Sequence, residues 1–174
     1  MRVAYADPPY PGCAHLYRDH ADFAGEVDHA ALIDQMQTYD GWLLHTNSVS
    51  LRAVLPLCPP DARVMAWVKP FAAFKRNVSV AYAWEPVIVK ACRKPVVTQR
   101  VVMRDWVSEN ITLKKGLVGA KPPKVVLWAI EVLGMHPTDE MDDLFPGTGI
   151  VGETWREWQI ARLAKADEQG WGSK

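Results

Sequence analysis

The sequence has few cysteines and no long apolar run. Its three cysteines, Cys13, Cys58 and Cys92, are far apart and include no C-x-x-C pair, which argues against a disulfide framework and against a zinc site. No stretch approaches the roughly 18 consecutive apolar residues of a membrane helix, and Met1 precedes a strand pattern rather than a signal peptide. These absences predict a soluble, unprocessed cytoplasmic protein that does not enter a membrane.

The chain also lacks an excess of either charge. Twenty basic residues balance twenty acidic ones, which excludes the strongly positive overall field of many nucleic-acid-binding proteins. Any contact with nucleic acid must therefore use local patches. With 174 residues, 49% of them hydrophobic, and no internal repeat, the chain is expected to be ordered and to form one domain spanning 1–174.

Short apolar segments alternate with helical patterns along the chain. Strands are predicted at 3–6, 42–45, 63–68, 85–89 and 141–145, and helices at about 28–39, 49–55, 124–133 and 153–166. Strands 63–68 and 85–89 are expected to pair antiparallel. The alternation predicts a three-layer α/β fold with a mostly parallel sheet. Residues 90–120 fit no clear element and are expected to form a peripheral arm.

The first predicted strand runs into Asp7-Pro8-Pro9-Tyr10. Neither proline has a backbone donor, so the strand ends there and leaves Asp7 at its carboxyl end. An ionised carboxylate only accepts hydrogen bonds, so Asp7 and the carbonyl of Pro8 are suited to bind both protons of an exocyclic amine and expose its lone pair. Tyr10 is suited to stack on an extruded base. The alternative is an ordinary strand-ending turn.

Three glycines, Gly147, Gly149 and Gly152, form a G-x-G-x-x-G pattern between a predicted strand and a predicted helix. Such a turn lets the backbone approach a nucleotide-like ligand at a helix N-terminus. A nicotinamide dinucleotide enzyme is disfavoured, because the acidic residues about twenty positions further on, Asp167 and Glu168, follow no strand. A plain strand-to-helix turn remains open as an alternative.

Together the two motifs resemble those of the amino-group DNA methyltransferases, which make N6-methyladenine or N4-methylcytosine with S-adenosylmethionine (SAM). Asp7-Pro8-Pro9-Tyr10 matches the catalytic D-P-P-Y motif, and residues 143–149 match the D-x-F-x-G-x-G cofactor motif. The resemblance covers most of the chain. Since the catalytic motif comes first, it implies a circularly permuted, Rossmann-like methyltransferase fold of the β-type, in a small bacterial or phage member.

The resemblance also implies roles for individual residues. It places catalysis on Asp7, Pro8, Pro9 and Tyr10. Cofactor contacts are implied for Ala6, Asp7, Lys121, Pro122, Asp143, Phe145, Pro146, Gly147, Thr148 and Gly149. Substrate contacts are expected from Tyr10, Tyr17, Lys69 and Arg76. No metal ion is expected, because the candidate ligands His15, Asp19, His20 and Asp22 lie in a loop without a supporting helix.

The resemblance predicts methyl transfer from SAM to the N6 amine of adenine in DNA. N4-cytosine and RNA adenine are alternatives, because the amine geometry is shared. The chain departs from the family in one respect: no strand with an acidic end, which binds the cofactor ribose, follows the last helix. A non-catalytic nucleic-acid-binding subunit is therefore a further interpretation. A homodimer is expected, because a chain this short offers little surface to a duplex.

Loops at 11–27, 69–83 and 90–120 are the candidates for DNA contact, and the first is expected to close over the substrate. Basic residues gather in the second half of the middle region: Lys90, Arg93, Lys94, Arg100, Arg104, Lys114, Lys115, Lys121 and Lys124. They are interpreted either as a phosphate-contacting face or as an ordinary solvated surface.

Overall fold

The structure is a computed structural model that describes residues 1–18, 25–71, 77–94, 103–112 and 120–168, with the backbone alone described at 16, 17 and 166–168. Its strands are β1 (Arg2–Ala6), β2 (Gly41–His45), β3 (Arg63–Val68), β4 (Trp84–Lys90), β5 (Trp106–Ser108) and β6 (Glu140–Asp143). Its helices are α1 (His29–Met36), α2 (Leu51–Val54), α3 (Pro123–Leu133) and α4 (Ile150–Glu168). Every predicted strand and helix is present, with small shifts at the ends.

The six strands form one sheet in the order β5-β3-β4-β2-β1-β6. β1 is parallel to β2 and to β6, and β3 is parallel to β5, whereas β4 runs antiparallel to both of its neighbours. The predicted mostly parallel sheet and the antiparallel pairing of 63–68 with 85–89 are thus confirmed. Because β4 is reversed, its amino end lies beside the carboxyl ends of β1, β2, β3 and β6.

The sheet has two edges at which strands end, called here the carboxyl edge and the amino edge. The carboxyl edge carries the residues at or just beyond those strand ends, namely Asp7, His45, Lys69, Glu85 and Asp143. The amino edge carries Met1, Arg93 and Asp139, at the opposite ends of β1, β4 and β6.

Helices cover both faces of the sheet. On one face, α3 and α4 pack over a core that includes Tyr5, Leu43 and Val87. On the other, α1 packs over a core that includes Ala4 and Trp42. Alternate residues of each strand therefore serve different cores, as expected for strands buried on both sides. The predicted three-layer, Rossmann-like α/β fold is confirmed.

Two helices begin or end at the residues that the sequence predicts as helix boundaries. The carboxylate of Asp28 accepts hydrogen bonds from the backbone N–H groups of Ala30 and Ala31, at 3.0 and 3.1 Å, and so caps α1. α3 starts after Pro122 and ends at Gly134, whose φ of 71° is left-handed. α3 runs from the carboxyl edge, where the preceding Lys121 contacts Asp7, to the amino edge, where the carbonyl of Leu133 accepts from the backbone N–H of Cys92.

Residues 106–108 differ from the expectation of a peripheral arm over 90–120. They form the edge strand β5, in which Val107 lies opposite Trp67 of β3. Three residues are too few to show an alternating pattern in sequence, and tertiary contacts stabilise the strand: Val107 is buried in the core, and the Trp67 indole donates to the carbonyl of Glu109 at 2.8 Å. Residues 95–102 and 113–119 of the expected arm lie outside the described part of the chain.

Two further expectations concern loops and membranes. In the loop 11–27, Ala14–Tyr17 form a 3-10 helix, and residues 19–24 lie outside the described ranges. Closure of this loop over a substrate stays a prediction. Among the helices that the structure describes, none combines the length and the apolar character needed to cross a membrane.

Candidate active site

The two sequence motifs meet at the carboxyl edge. β1 ends at Ala6, so Asp7 is the first residue beyond it, and Pro8 is buried there. β6 ends at Asp143, which lies directly opposite Tyr5 in the parallel β1–β6 pair. The prediction that the strands bearing the two motifs are neighbours is confirmed. Ligands of open α/β sheets bind in crevices of this kind, beyond the carboxyl ends of strands.

Lys121 connects α3 to this edge. Its ammonium donates a hydrogen bond to Asp7 Oδ2 at 2.7 Å, and the residue is 5% exposed. Pro122 and Pro123 start α3, and the helix packs on the sheet through Val125 and Ile130. Burial by itself would lower the pKa of Lys121, but the negative charges of Asp7 and Glu85 raise it overall. Lys121 is therefore a buried cation in contact with the first residue of Asp7-Pro8-Pro9-Tyr10.

Glu85 is the second acid of the cluster. Its Oε1 accepts a hydrogen bond from His45 Nδ1 at 2.8 Å and lies 3.3 Å from Lys121 Nζ, while Oε2 accepts from Lys69 Nζ at 2.8 Å. Burial would raise the pKa of Glu85, but Lys121 and then His45 hold it well below its usual range. The predicted substrate residue Lys69 is thus engaged with this buried carboxylate.

Tyr5 and His45 extend the cluster into the core. The Tyr5 hydroxyl lies 2.7 Å from His45 Nε2, and both residues are fully buried. Burial, with the charges of Asp7, Glu85 and Asp143, raises the pKa of Tyr5 well above its usual value, so the hydroxyl stays protonated. On its other side, His45 Nδ1 donates to the carboxylate of Glu85.

Sequence reasoning did not assign roles to Glu85 and His45. A signal was present, because Glu85 is a charged residue within an otherwise apolar predicted strand, and buried acids need partners. The pairing itself depends on β2 and β4 lying side by side, which places His45 opposite Val87 and near Glu85. That neighbour relation follows from the strand order and not from any local pattern.

Asp143 and the glycine turn form the other half of the site. Asp143 Oδ1 accepts from the backbone N–H of Phe145 at 3.2 Å, whereas Oδ2 is buried and has no hydrogen-bond partner among the described residues. Burial, reinforced by the charge of Asp7, raises the pKa of Asp143 to about 6. A buried carboxylate oxygen without a donor fits a cationic ligand group.

The turn that follows Asp143 is open to solvent. Gly147 and Gly149 have φ values of 43° and 75°, and residues 146–149 are exposed. A Cβ placed on Gly149 would meet no protein atom within 4 Å. Glycine is therefore required by the backbone conformation, and free space remains at the N-terminus of α4 for a ligand.

The other residues predicted to contact cofactor or substrate differ in burial and in position. Ala6 and Pro122 are buried beside the cluster, Tyr10 is partly buried, and Thr148 lies in the exposed turn. The side chain of Tyr17 and all of Arg76 lie outside the described residues. The basic set is also divided, because Lys124 pairs with Glu109 and Arg93 pairs with Asp139 at the amino edge. Arg93 and Lys124 thus do not share one face, and Arg100, Lys114 and Lys115 lie outside the described residues. A phosphate-contacting face stays a prediction.

One cluster of potential metal ligands lies at the carboxyl edge. In the described ranges, the side chains close enough to share an ion are Asp7, His45 and Glu85, whose ligand-type atoms lie within 4.8 Å of one another. The Lys121 ammonium lies 2.7 Å from Asp7 and 3.3 Å from Glu85. The chain thus supplies its own positive charge at this position. Of the loop candidates, Asp19, His20 and Asp22 lie outside the described residues.

Comparison with known proteins gives a structural likeness. No protein-family model and no curated protein matches the chain. A solved complex of M1.HpyAVI with SAM matches with a TM-score of 0.56 at 16% sequence identity, covering 90% of this chain and 77% of that one. A second structure of M1.HpyAVI matches with a TM-score of 0.55 at 14% identity, covering 91% and 76%. At these identities the likeness establishes a shared fold.

Proposed function

We propose that the protein is a SAM-dependent methyltransferase that acts on an exocyclic amine of a nucleic-acid base. The observation that carries the proposal is the meeting of Asp7-Pro8-Pro9-Tyr10 and the Gly147–Gly149 turn at the ends of neighbouring parallel strands. Two specific motifs, far apart in sequence, come together where α/β sheets bind ligands. The fold shared with M1.HpyAVI, solved as a SAM complex, supports the same assignment.

The residues of the carboxyl edge fit SAM. An ammonium group such as that of the methionine part of SAM would satisfy the buried Oδ2 of Asp143. The space at Gly149 suits the nucleoside part, and we assign the remaining contacts to Ala6, Asp7, Lys121, Pro122, Phe145, Pro146, Gly147 and Thr148. When bound, SAM supplies a methyl group on a positively charged sulfur.

Asp7 is the residue that we assign to the amine. Lys121 engages Oδ2, so Oδ1 accepts one amine proton while the carbonyl of Pro8 accepts the other. These two hydrogen bonds draw the nitrogen toward tetrahedral geometry and expose its lone pair. Bound SAM would supply the methyl group as its S–C bond is exchanged for an N–C bond, and the amine nitrogen held by Asp7 and Pro8 would lose one proton to water.

Adenine N6 in DNA is the proposed target. The alternatives are N4 of cytosine and adenine in RNA, because the hydrogen bonds to Asp7 and Pro8 suit all three amines. Tyr10 is proposed to stack on the extruded base, with Tyr17, Lys69 and Arg76 as further substrate contacts. The order of the two motifs is proposed to reflect a circular permutation of the family sequence.

Nucleoside mass spectrometry on DNA and RNA from cells that express the protein tests this proposal. Methyladenine or methylcytosine is expected with the unmutated chain and with Asp34→Ala, a change at an exposed position of α1. Asp7→Ala is expected to lower the rate by about 10²–10³, the usual effect of losing one preorganised electrostatic group. Equal methylation by Asp7→Ala would remove the assigned role of Asp7.

A second candidate is a non-catalytic nucleic-acid-binding subunit that has kept the fold. Calorimetric titration with SAM separates the two candidates. Binding supports the methyltransferase, whereas no heat at millimolar SAM supports the subunit.

We also propose that the protein forms a homodimer on DNA, because one short chain offers a small binding surface. Light scattering with and without duplex DNA tests this. A single species of 19.5 kDa in both samples would contradict it.

A further inference from the structure

Glu85 belongs to neither of the two sequence motifs and lies at the centre of a buried polar network. It is 5% exposed and borders two lysines and one histidine. Its contacts reach Lys121 on one side and the fully buried His45–Tyr5 pair on the other. A carboxylate at this depth is stable only when several donors hold it.

We infer that Glu85 is a positioning residue that fixes the Lys121 ammonium against Asp7, and that His45 and Lys69 hold Glu85 in place for this purpose. For its effect on turnover the inference rests on the proposed function. For its effect on Lys121 it rests on the geometry alone.

Lys121 needs a second partner to be held in one direction. A lysine ammonium is a compact charge on a flexible four-carbon stem, so one hydrogen bond does not define where it points. Here Asp7 Oδ2 lies at 2.7 Å and Glu85 Oε1 at 3.3 Å, with the ring centre of Trp67 at 5.6 Å. With these partners, Lys121 binds Oδ2 of Asp7 and leaves Oδ1 to the amine.

Each oxygen of Glu85 is held by a different residue. His45 Nδ1 donates to Oε1, and the Tyr5 hydroxyl lies 2.7 Å from the other ring nitrogen of His45 and so fixes the ring. Lys69 donates to Oε2 and lies over the Trp67 ring, with its Nζ 4.4 Å from the ring centre. Each carboxylate oxygen therefore has its own fixed donor, and Glu85 is not free to turn when Lys121 moves.

Chemical labelling of Lys121 tests the inference without any catalysis. An amine-reactive acetylating reagent, read out by peptide mass spectrometry, is expected to modify Lys121 slowly in the unmutated chain. Glu85→Gln removes the second negative charge, so labelling of Lys121 is expected to accelerate by about tenfold or more, equivalent to one unit of pKa. The matched control Glu131→Gln breaks the partly exposed pair with Arg162 and is expected to leave the Lys121 rate unchanged.

Lys69→Met gives an independent variant if Glu85→Gln does not fold. It removes one donor from Glu85 and keeps both carboxylates. The loss of a neighbouring positive charge would by itself slow labelling of Lys121, so the acceleration that we expect reports an ammonium displaced from its fixed position. Circular dichroism and urea midpoints establish that each variant is folded before labelling. Unchanged labelling of Lys121 in a folded Glu85→Gln protein overturns the inference, whether or not the protein methylates anything.

Kinetics then separates the inference from the proposed function. In an active enzyme, misplacing Lys121 by Glu85→Gln is expected to lower kcat by about 10²-fold, the scale of a 1 Å misplacement. The Kd of SAM is expected to change by much less. An active unmutated enzyme with an unaffected Glu85→Gln kcat overturns the positioning role. Absence of methylation by the unmutated protein defeats the proposed function, while labelling still decides the role of Glu85.

Discussion

Asp139 precedes strand β6 and Asp143 is its last residue, and the two carboxylates differ in how their charges are satisfied. Asp139 accepts hydrogen bonds from the Arg93 guanidinium, from the backbone N–H of His136 at 2.7 Å and from the α-amine of Met1 at 2.9 Å. These donors, Arg93 above all, hold the pKa of Asp139 below its usual range. Among the residues that the structure describes, Asp143 has one hydrogen-bond donor, the backbone N–H of Phe145, and burial raises its pKa to about 6.

The difference distinguishes an edge whose charges the chain itself satisfies from the edge that we propose to bind the cofactor. At the amino edge, Asp139 is 4% exposed and both of its oxygens accept hydrogen bonds, so its charge is satisfied by the chain itself. At the carboxyl edge, Asp143 Oδ2 is buried without a partner within the described ranges. Substitutions at the amino edge should therefore change stability, and those at the carboxyl edge should change binding and catalysis.

Asp139→Asn is expected to have the largest effect on stability, lowering the free energy of unfolding by about 2 kcal/mol. The change removes an anion that holds two cations, and the cost is moderate because Met1 and Arg93 keep 42% and 35% side-chain exposure. Urea unfolding measures it, with Asp61→Asn at an exposed position as control. The affinity for SAM at neutral pH should not change. A large loss of affinity would contradict the claim that substitutions at the amino edge change only stability.

The same variant has a characteristic pH dependence. The folded pKa of Asp139 is depressed, so below about 4 the unfolded chain binds more protons than the folded one. The stabilisation by Asp139 is present above that pH and is lost as the pH falls toward the folded value. Asp139→Asn should therefore flatten the acid limb of the stability curve.

The sequence predicts the carboxyl edge better than the amino edge. Asp7-Pro8-Pro9-Tyr10 and Gly147–Gly149 are local patterns, since prolines end a strand and glycines permit positive φ wherever they occur. The alternation of apolar segments likewise identifies the elements and the layered fold. The clamp of Arg93 on Asp139 joins residues 46 positions apart, and no local pattern indicates it.

The network around Glu85 lies between these two cases. The sequence shows an acid in an apolar strand, and the resemblance of Lys121-Pro122 to a cofactor segment placed the lysine near the site. Their contact requires β4 to lie beside β2 and α3 to begin above that edge, which only the tertiary fold determines. Likewise β5, three residues long, depends on pairing with β3 rather than on its own propensity.

The pH dependence of SAM binding tests the difference between the two edges, and the expected effect is of intermediate size. Asp143 must be ionised to bind an ammonium group, and its pKa is about 6. At pH 5 only about a tenth of it is ionised, so SAM is expected to bind about tenfold more weakly than at pH 7. Calorimetry across this range measures the change.

Asp143→Asn is the matched variant for that titration. Its affinity should be low and flat with pH, because an amide cannot change its charge. Asp139→Asn should keep the slope of the unmutated protein, since its carboxylate is already satisfied. A slope that persists in Asp143→Asn would assign the titration to another group.

The smallest effect is expected from Gly149→Ala, compared with Gly134→Ala. Both glycines have positive φ, 75° and 71°, so alanine strains each backbone by a similar amount, about 1 kcal/mol. At Gly134 the new Cβ also overlaps the backbone carbonyl of Arg93, whereas at Gly149 it meets no protein atom within 4 Å. Urea unfolding should therefore show the smaller loss for Gly149→Ala.

Binding should rank the two glycine variants in the opposite order. The methyl group of Gly149→Ala enters the space proposed for SAM, so its SAM affinity falls although its stability is nearly kept. Gly134→Ala costs more stability and, measured well below its unfolding midpoint, should retain SAM affinity. If Gly149→Ala bound SAM as tightly as the unmutated chain, the open turn at the end of β6 would be a structural feature, and the contrast between the two edges would rest on the aspartates alone.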